Sequence, residues 1–204
     1  AQTGVIGGLK YGVTVEELTN AYGVIANKGV FMDAYMIEEI RAADGTVVYK
    51  HEPKPKRIVS EQTAYLMTDM LKTVITNGTG TMVRSKFKHF GEIEIAGKTG
   101  TTQNYGDVWF QGFTPDITLG VWAGYEKQIH SLTGSGRDRA KLIWAAVMNA
   151  VVDAKPELFP NKKFERPDGL VTMTVSSASG KLPTELTQAA GRDRKSTRLN
   201  SSHL

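Results

Sequence analysis

The sequence predicts a mixed α/β fold, an antiparallel sheet flanked by helices, and three observations carry that prediction. Strand-like segments run from Ile93 to Thr102, Val108 to Phe113 and Ile117 to Tyr125, and the last two are joined only by Thr114-Pro115-Asp116, short enough to force an antiparallel pair. Apolar residues recur at helical spacing before and after them, around Leu18, Leu71 and Trp144. The 204 residues suffice for one domain of ordinary size with a substantial core.

The elements follow in order. Thr14-Val15-Glu16-Glu17 is a capping box, in which the threonine oxygen accepts from the first turn and Glu17 reaches back. A helix follows to about Lys28, with Leu18, Tyr22, Ile25 and Ala26 on one face and Gly29 placed to end it as a left-handed cap. Tyr35 to Ala42 and Thr46 to Lys50 flank Asp44-Gly45, a hairpin signal. Lys50 to Arg57, with Pro53 and Pro55 among basic side chains, reads as an exposed loop. Ser60 is placed to cap a second helix to about Asn77, whose stripe is Ala64, Met67, Leu71, Val74 and Ile75. In the strand from Ile117, alternation puts Ile117, Leu119, Val121, Ala123 and Tyr125 on one face and Thr118, Gly120, Trp122 and Gly124 on the other, both expected to be covered. A third helix is expected from Arg137 to Val152, with Ala140, Ile143, Trp144, Val147 and Val151 as its stripe and Trp144 as a packing residue. Pro156, Pro160 and Pro167 mark a linker, and Leu170 to Ser176 a short alternating strand.

The candidate site lies where the first strand runs into Lys98-Thr99-Gly100-Thr101-Thr102. Alternation sends Thr99 and Thr101 to one face and Lys98 to the other. Gly100, without a side chain, lets a ligand or a second backbone approach. The Lys98 ammonium suits a substrate carboxylate and the proton traffic of a neighbouring hydroxyl. With its flank Gln103-Asn104-Tyr105-Gly106-Asp107-Val108-Trp109-Phe110, this segment resembles the Lys-Thr-Gly region of bifunctional class A penicillin-binding proteins. Upstream, Tyr11 to Leu18, Ala21 to Gly29 and Gly78-Thr79-Gly80 are similar to the segments that precede that region in the family. The resemblance covers residues 1–155 as the C-terminal portion of a transpeptidase domain. A weaker match extends over 156–191, and 192–204 form a tail.

The resemblance implies a β-lactamase/D,D-transpeptidase-like sheet and a parent enzyme that cross-links peptidoglycan stem peptides through a serine acyl-enzyme, the intermediate that β-lactams trap. It implies Lys98 and Thr101 as catalytic residues, with the Thr101 N–H an oxyanion donor, and Thr99, Gly100 and Thr101 as substrate-binding residues. It implies no cofactor and no metal. The implied location is the extracytoplasmic face of the bacterial cell membrane, reached through an N-terminal anchor outside this sequence. The family's Ser-x-x-Lys and Ser-x-Asn elements precede the strand and are absent here, so the fragment alone is expected to be inactive. Its formal Ser-x-x-Lys match, Ser85-Lys86-Phe87-Lys88, lies thirteen positions before Lys98 and opens no apolar helix. Two alternatives stay open: a β-lactamase or D,D-carboxypeptidase relative, and a non-catalytic module that holds carboxylated peptides.

Other chemistries find little support. Gly91 and Gly97-Lys98-Thr99 approach a phosphate-binding loop, but five residues separate the glycines where four are required. Lys and Arg exceed Asp and Glu by four, and residues 192–204 hold three of that excess, so the body offers no basic footing for nucleic acid. There is no cysteine, and His51, His89, His130 and His203 lack ligand spacing. No apolar run reaches the length of a membrane span. The tail from Arg192 has no apolar periodicity, is expected to be disordered, and resembles translated adapter read-through.

Overall fold

In the computed structural model, which describes residues 4, 7–9, 11–127, 129–176, 179–189, 191 and 193–199, the first helix, α1 (Val15–Ala26), starts at Thr14 as its capping box dictates. The Thr14 hydroxyl accepts from the Glu17 N–H at 3.1 Å, and the Glu17 carboxylate accepts from the Thr14 N–H at 2.8 Å. Two left-handed residues, Lys28 (φ 53°) and Gly29 (φ 87°), then reverse the chain. Short strand β1 (Val30–Phe31) pairs with β4 (Lys56–Arg57), so the expected exposed loop ends in a strand. Between them β2 (Glu39–Arg41) and β3 (Val47–Lys50) form the expected hairpin, shorter than its sequence signal, with Gly45 at φ 86°.

Helix α2 (Glu61–Thr76) begins at Ser60, whose hydroxyl accepts from the Thr63 N–H at 3.2 Å. Its buried stripe is Ala64, Thr68, Leu71 and Ile75; Met67 is exposed. Thr68 is tolerated there because its hydroxyl donates to the Ala64 carbonyl at 3.0 Å. A tight turn at Gly78-Thr79-Gly80 leads to α3 (Thr81–Lys86), a short helix the sequence pattern did not announce.

The main sheet has order β5-β6-β7, all antiparallel, from β5 (Ala96–Thr101), β6 (Asp107–Phe113) and β7 (Thr118–Gly124). Helix α4 (Arg139–Ala154) covers one face. There Trp144 is fully buried, edge-on to Phe110 and Phe87 at centroid distances of 5.5 and 5.9 Å, and its indole N–H donates to the Leu119 carbonyl at 3.0 Å. The expected packing role of Trp144 holds. The buried stripe is Ala140, Trp144, Ala145, Met148 and Val152, so Ile143 and Val147 turn partly to solvent. On the other face α1 and α2 bring Tyr22, Ile25 and Leu71 against Ala96 and Phe113. That cover is incomplete, and Trp122 on β7 remains 40% exposed.

Two expectations need correction. The strand begins at Ala96, not Ile93, because the Glu94 N–H donates to the Lys162 carbonyl at 2.8 Å instead of a sheet neighbour. The Glu94 carboxylate also accepts from Lys72 (2.7 Å) and the Phe164 N–H (2.9 Å). The same bonds convert the expected linker into a strap across the domain. Phe159 is buried in the main core, Asn161 is bound to the Asp116 carboxylate, and Phe164 stacks edge-on against Phe113 at 5.5 Å.

The tail differs as well. Within the segment expected to be disordered, β9 (Asp193–Leu199) pairs antiparallel with the expected β8 (Leu170–Ser176) from Leu170↔Leu199 to Ser176↔Asp193; α5 (Glu185–Ala189) lies between them in sequence. A ladder is made by backbone N–H and C=O groups, so this pairing does not require the apolar period whose absence suggested disorder. Arg192 and residues 200–204, His203 included, lie outside the described residues.

Candidate active site

Strand β5 is an edge strand: β6 is its one neighbour in the sheet among the described residues. The register sets Lys98 opposite Gln111, Thr99 opposite Phe110, Gly100 opposite Trp109 and Thr101 opposite Val108. Directly opposed residues share a face. Thr99 and Thr101 therefore lie on the α4 side with Phe110 and Val108, and Lys98 and Gly100 on the α1 side with Gln111 and Trp109. The expected division of the two threonines from the lysine is present.

Which backbone groups reach the open edge follows from one bond. The Thr102 N–H donates to the Asp107 carbonyl at 3.1 Å, toward β6. Alternation along an antiparallel ladder then turns the N–H groups of Thr101 and Thr99 away from β6, to the open edge. Lys98 is exposed; its ammonium donates only to the adjacent Thr99 carbonyl at 2.9 Å and has no ion-pair partner among the described residues. Thr101 is exposed, whereas Thr99 is half-buried, its hydroxyl 2.6 Å from that of Thr79. A Cβ on Gly100 would stand 3.1 Å from Trp109 Cβ, so this glycine keeps the strand flush against Trp109.

The end of the strand is held firmly. Asp107, 5% exposed, donates its N–H to the Thr102 hydroxyl at 2.8 Å, and its carboxylate accepts from that hydroxyl (3.2 Å) and from the Trp122 indole N–H (3.1 Å). The connecting turn holds Asn104 and Tyr105 at φ 54° and 55°, in the left-handed region. Arg137 lies 4.0 Å over the Tyr105 ring, and the Leu132 N–H donates to the Tyr105 carbonyl at 2.8 Å, so the loop before α4 is latched to this turn.

The residues of the near-miss motifs have other partners. Ser85 sits within α3, its hydroxyl donating to the Met82 carbonyl at 2.8 Å, while the Lys88 ammonium is 3.9 Å from Asp153. Neither prepares a nucleophile. Gly97 and Lys98 belong to β5, and only a three-residue 3-10 turn follows the strand where a phosphate-binding loop needs a helix. Sequence reasoning missed Thr79 and Asp107. A threonine between two glycines, and an acid opening an apolar strand, were the available signals.

An edge strand with two outward N–H groups, an exposed ammonium and threonine hydroxyls can hold an extended peptide by backbone pairing and its carboxylate by charge and hydrogen bonds. The chain is similar to known proteins in sequence and in fold. A family model of the penicillin binding protein transpeptidase domain matches residues 2–148. Penicillin-binding protein 1A of Clostridium novyi (strain NT) is 31% identical over 183 residues, 89% of this chain and 20% of that protein. Among solved structures, penicillin-binding protein 1A from Haemophilus influenzae matches with a TM-score of 0.76 at 22% identity, over 93% of this chain and 32% of that one. The imipenem acyl-enzyme complex of penicillin-binding protein A from M. tuberculosis matches with a TM-score of 0.51 at 23% identity, over 69% of this chain and 33% of that one. The chain thus spans about a fifth of the length of the curated relatives it matches.

Proposed function

The chain belongs to the penicillin-binding protein transpeptidase family, and on that premise we propose that it forms the substrate-strand half of a peptidoglycan D,D-transpeptidase site. In this reading a serine on chain outside these 204 residues attacks the stem peptide or a β-lactam and forms an acyl-enzyme. Lys98 supplies positive charge to the substrate carboxylate and to the serine hydroxyl that relays protons. Thr99 and Thr101 hydrogen-bond that carboxylate, and Gly100 keeps the strand flat beside the peptide. The Thr101 N–H is one oxyanion donor, a role for which removal costs about 3 to 4 kcal/mol of barrier in other acyl transferases. The N-terminal anchor that the family implies would place the site at the extracytoplasmic face of the bacterial cell membrane.

The observation that carries the proposal is the open edge of β5, where the outward Thr101 N–H lies three residues from an exposed ammonium without an ion-pair partner among the described residues. A carboxylate bound there gains a charge-assisted hydrogen bond worth about 1.5–3 kcal/mol. In the full-length protein, Lys98→Ala should therefore slow acylation by a labelled penicillin by about ten- to a hundredfold. Lys56→Ala, on exposed β4, should not change it. Equal rates for the two variants would refute the assignment of β5.

A further inference from the structure

We propose that Thr79 is a positioning residue for the substrate carboxylate, acting through Thr99; this rests on the function proposed above. The two hydroxyls are 2.6 Å apart although the residues are 20 positions apart, and the contact is built from both sides. Gly78 and Gly80 lie tight on the last turn of α2. The Gly80 N–H donates to the Val74 carbonyl at 2.9 Å, and a Cβ on Gly78 would come 2.8 Å from Val74 Cα. A Cβ on Gly80 would come 3.0 Å from Ile75 Cδ1 and 3.1 Å from the Val74 carbonyl oxygen. Side chains at either glycine would push the turn outward and withdraw Thr79 from β5.

Proton accounting gives the contact a direction. A hydroxyl has one proton to donate and two lone pairs with which to accept. Once Thr99 donates its proton to a carboxylate, the bond between the threonines can only run from Thr79 to Thr99. Thr79 then fixes the Thr99 rotor with its proton outward and polarises it toward the anion. Thr101, exposed on the same face, has no such contact with Thr79, so Thr99 is the hydroxyl set in advance.

The experiment compares Thr79→Val, which keeps the shape and loses the donor, with Thr79→Ser, which keeps both oxygen and proton. In the full-length protein, acylation by benzylpenicillin and by its methyl ester, which lacks the carboxylate, is followed against concentration. Thr79→Val should weaken benzylpenicillin binding about tenfold with the limiting acylation rate little changed. Thr79→Ser should restore it, and the methyl ester should react alike with all three proteins. A Thr79→Val defect equal for acid and ester would make Thr79 a structural residue only and overturn the proposal, as would unchanged acid binding. Lys98→Ala and Thr99→Val run in parallel: if they too leave acid binding unchanged, the function itself fails, whereas if they weaken it and Thr79→Val does not, only the role of Thr79 fails.

Discussion

Replacing Gln111 with methionine should stabilise the domain. Gln111 sits on central strand β6, opposite Lys98 on one side and Gly120 on the other, and is 2% exposed. Neither its amide nitrogen nor its oxygen has a hydrogen-bond partner among the described residues. The absence of a side chain at Gly120 makes room for it, since a Cβ there would stand 2.5 Å from Gln111 Oε1. Thr19 of α1, the nearest hydroxyl over that glycine, already donates to the Val15 carbonyl at 2.6 Å. An unsatisfied buried polar group costs about 1–3 kcal/mol, because the unfolded chain hydrates it and the folded chain does not. Methionine has nearly the same length and shape and carries no amide, so Gln111→Met should gain about 2 kcal/mol. In a chain of this size that is roughly 4–8 °C in Tm. Gln111→Ala should gain little, since the cavity it opens offsets the removed penalty. Urea and thermal unfolding of the three proteins side by side provide the assay. A Gln111→Met protein less stable than the parent by 1 kcal/mol or more would contradict this, and would mean that a buried water or a group from elsewhere in the full-length protein satisfies the amide.

Two further outcomes follow from the same geometry. The 204-residue chain incubated with benzylpenicillin should show no added mass by intact-mass spectrometry, because Ser85 donates within α3 and its motif lysine faces Asp153; a stoichiometric adduct on any serine here would contradict the reading of β5 as half a site. At the other end, the Thr14 N–H and then its hydroxyl hold the Glu17 carboxyl below the usual carboxylate range. A lowered folded pKa stabilises above the unfolded value and is lost as pH falls through the folded one, so α1 should fray at its first turn under acid conditions. Protection of the Glu17 and Leu18 amides, corrected for the intrinsic pH dependence of exchange, should fall with falling pH in the parent and stay constant in Glu17→Gln; identical profiles would rule out the capping box as the cause.

What was legible in the sequence was what is decided locally. The α1 start is written in four consecutive residues, the β6–β7 pairing in a three-residue connection, and the strand that carries the candidate site in Lys98-Thr99-Gly100-Thr101. The misses have partners far along the chain. Ile93 to Ile95 leave the sheet because Glu94 is claimed by Lys72, Lys162 and Phe164, and no window around Glu94 contains those residues. Thr68 is buried in place of Met67 because α2 is rotated by what it packs against, and the rotation becomes affordable through a bond within the helix. The pair of Thr79 and Thr99 belongs to the same class, and it bears on how an edge strand can stay open. A bare edge invites pairing with another chain, which natural sheets deter with charge and covering turns. On β5 the deterrents are Lys98 and the glycine-flanked turn that seats Thr79 against the strand. The groups proposed to recognise a substrate are thus the ones that keep its place free, so losing the turn should cost the strand its solubility as well as its grip on a carboxylate.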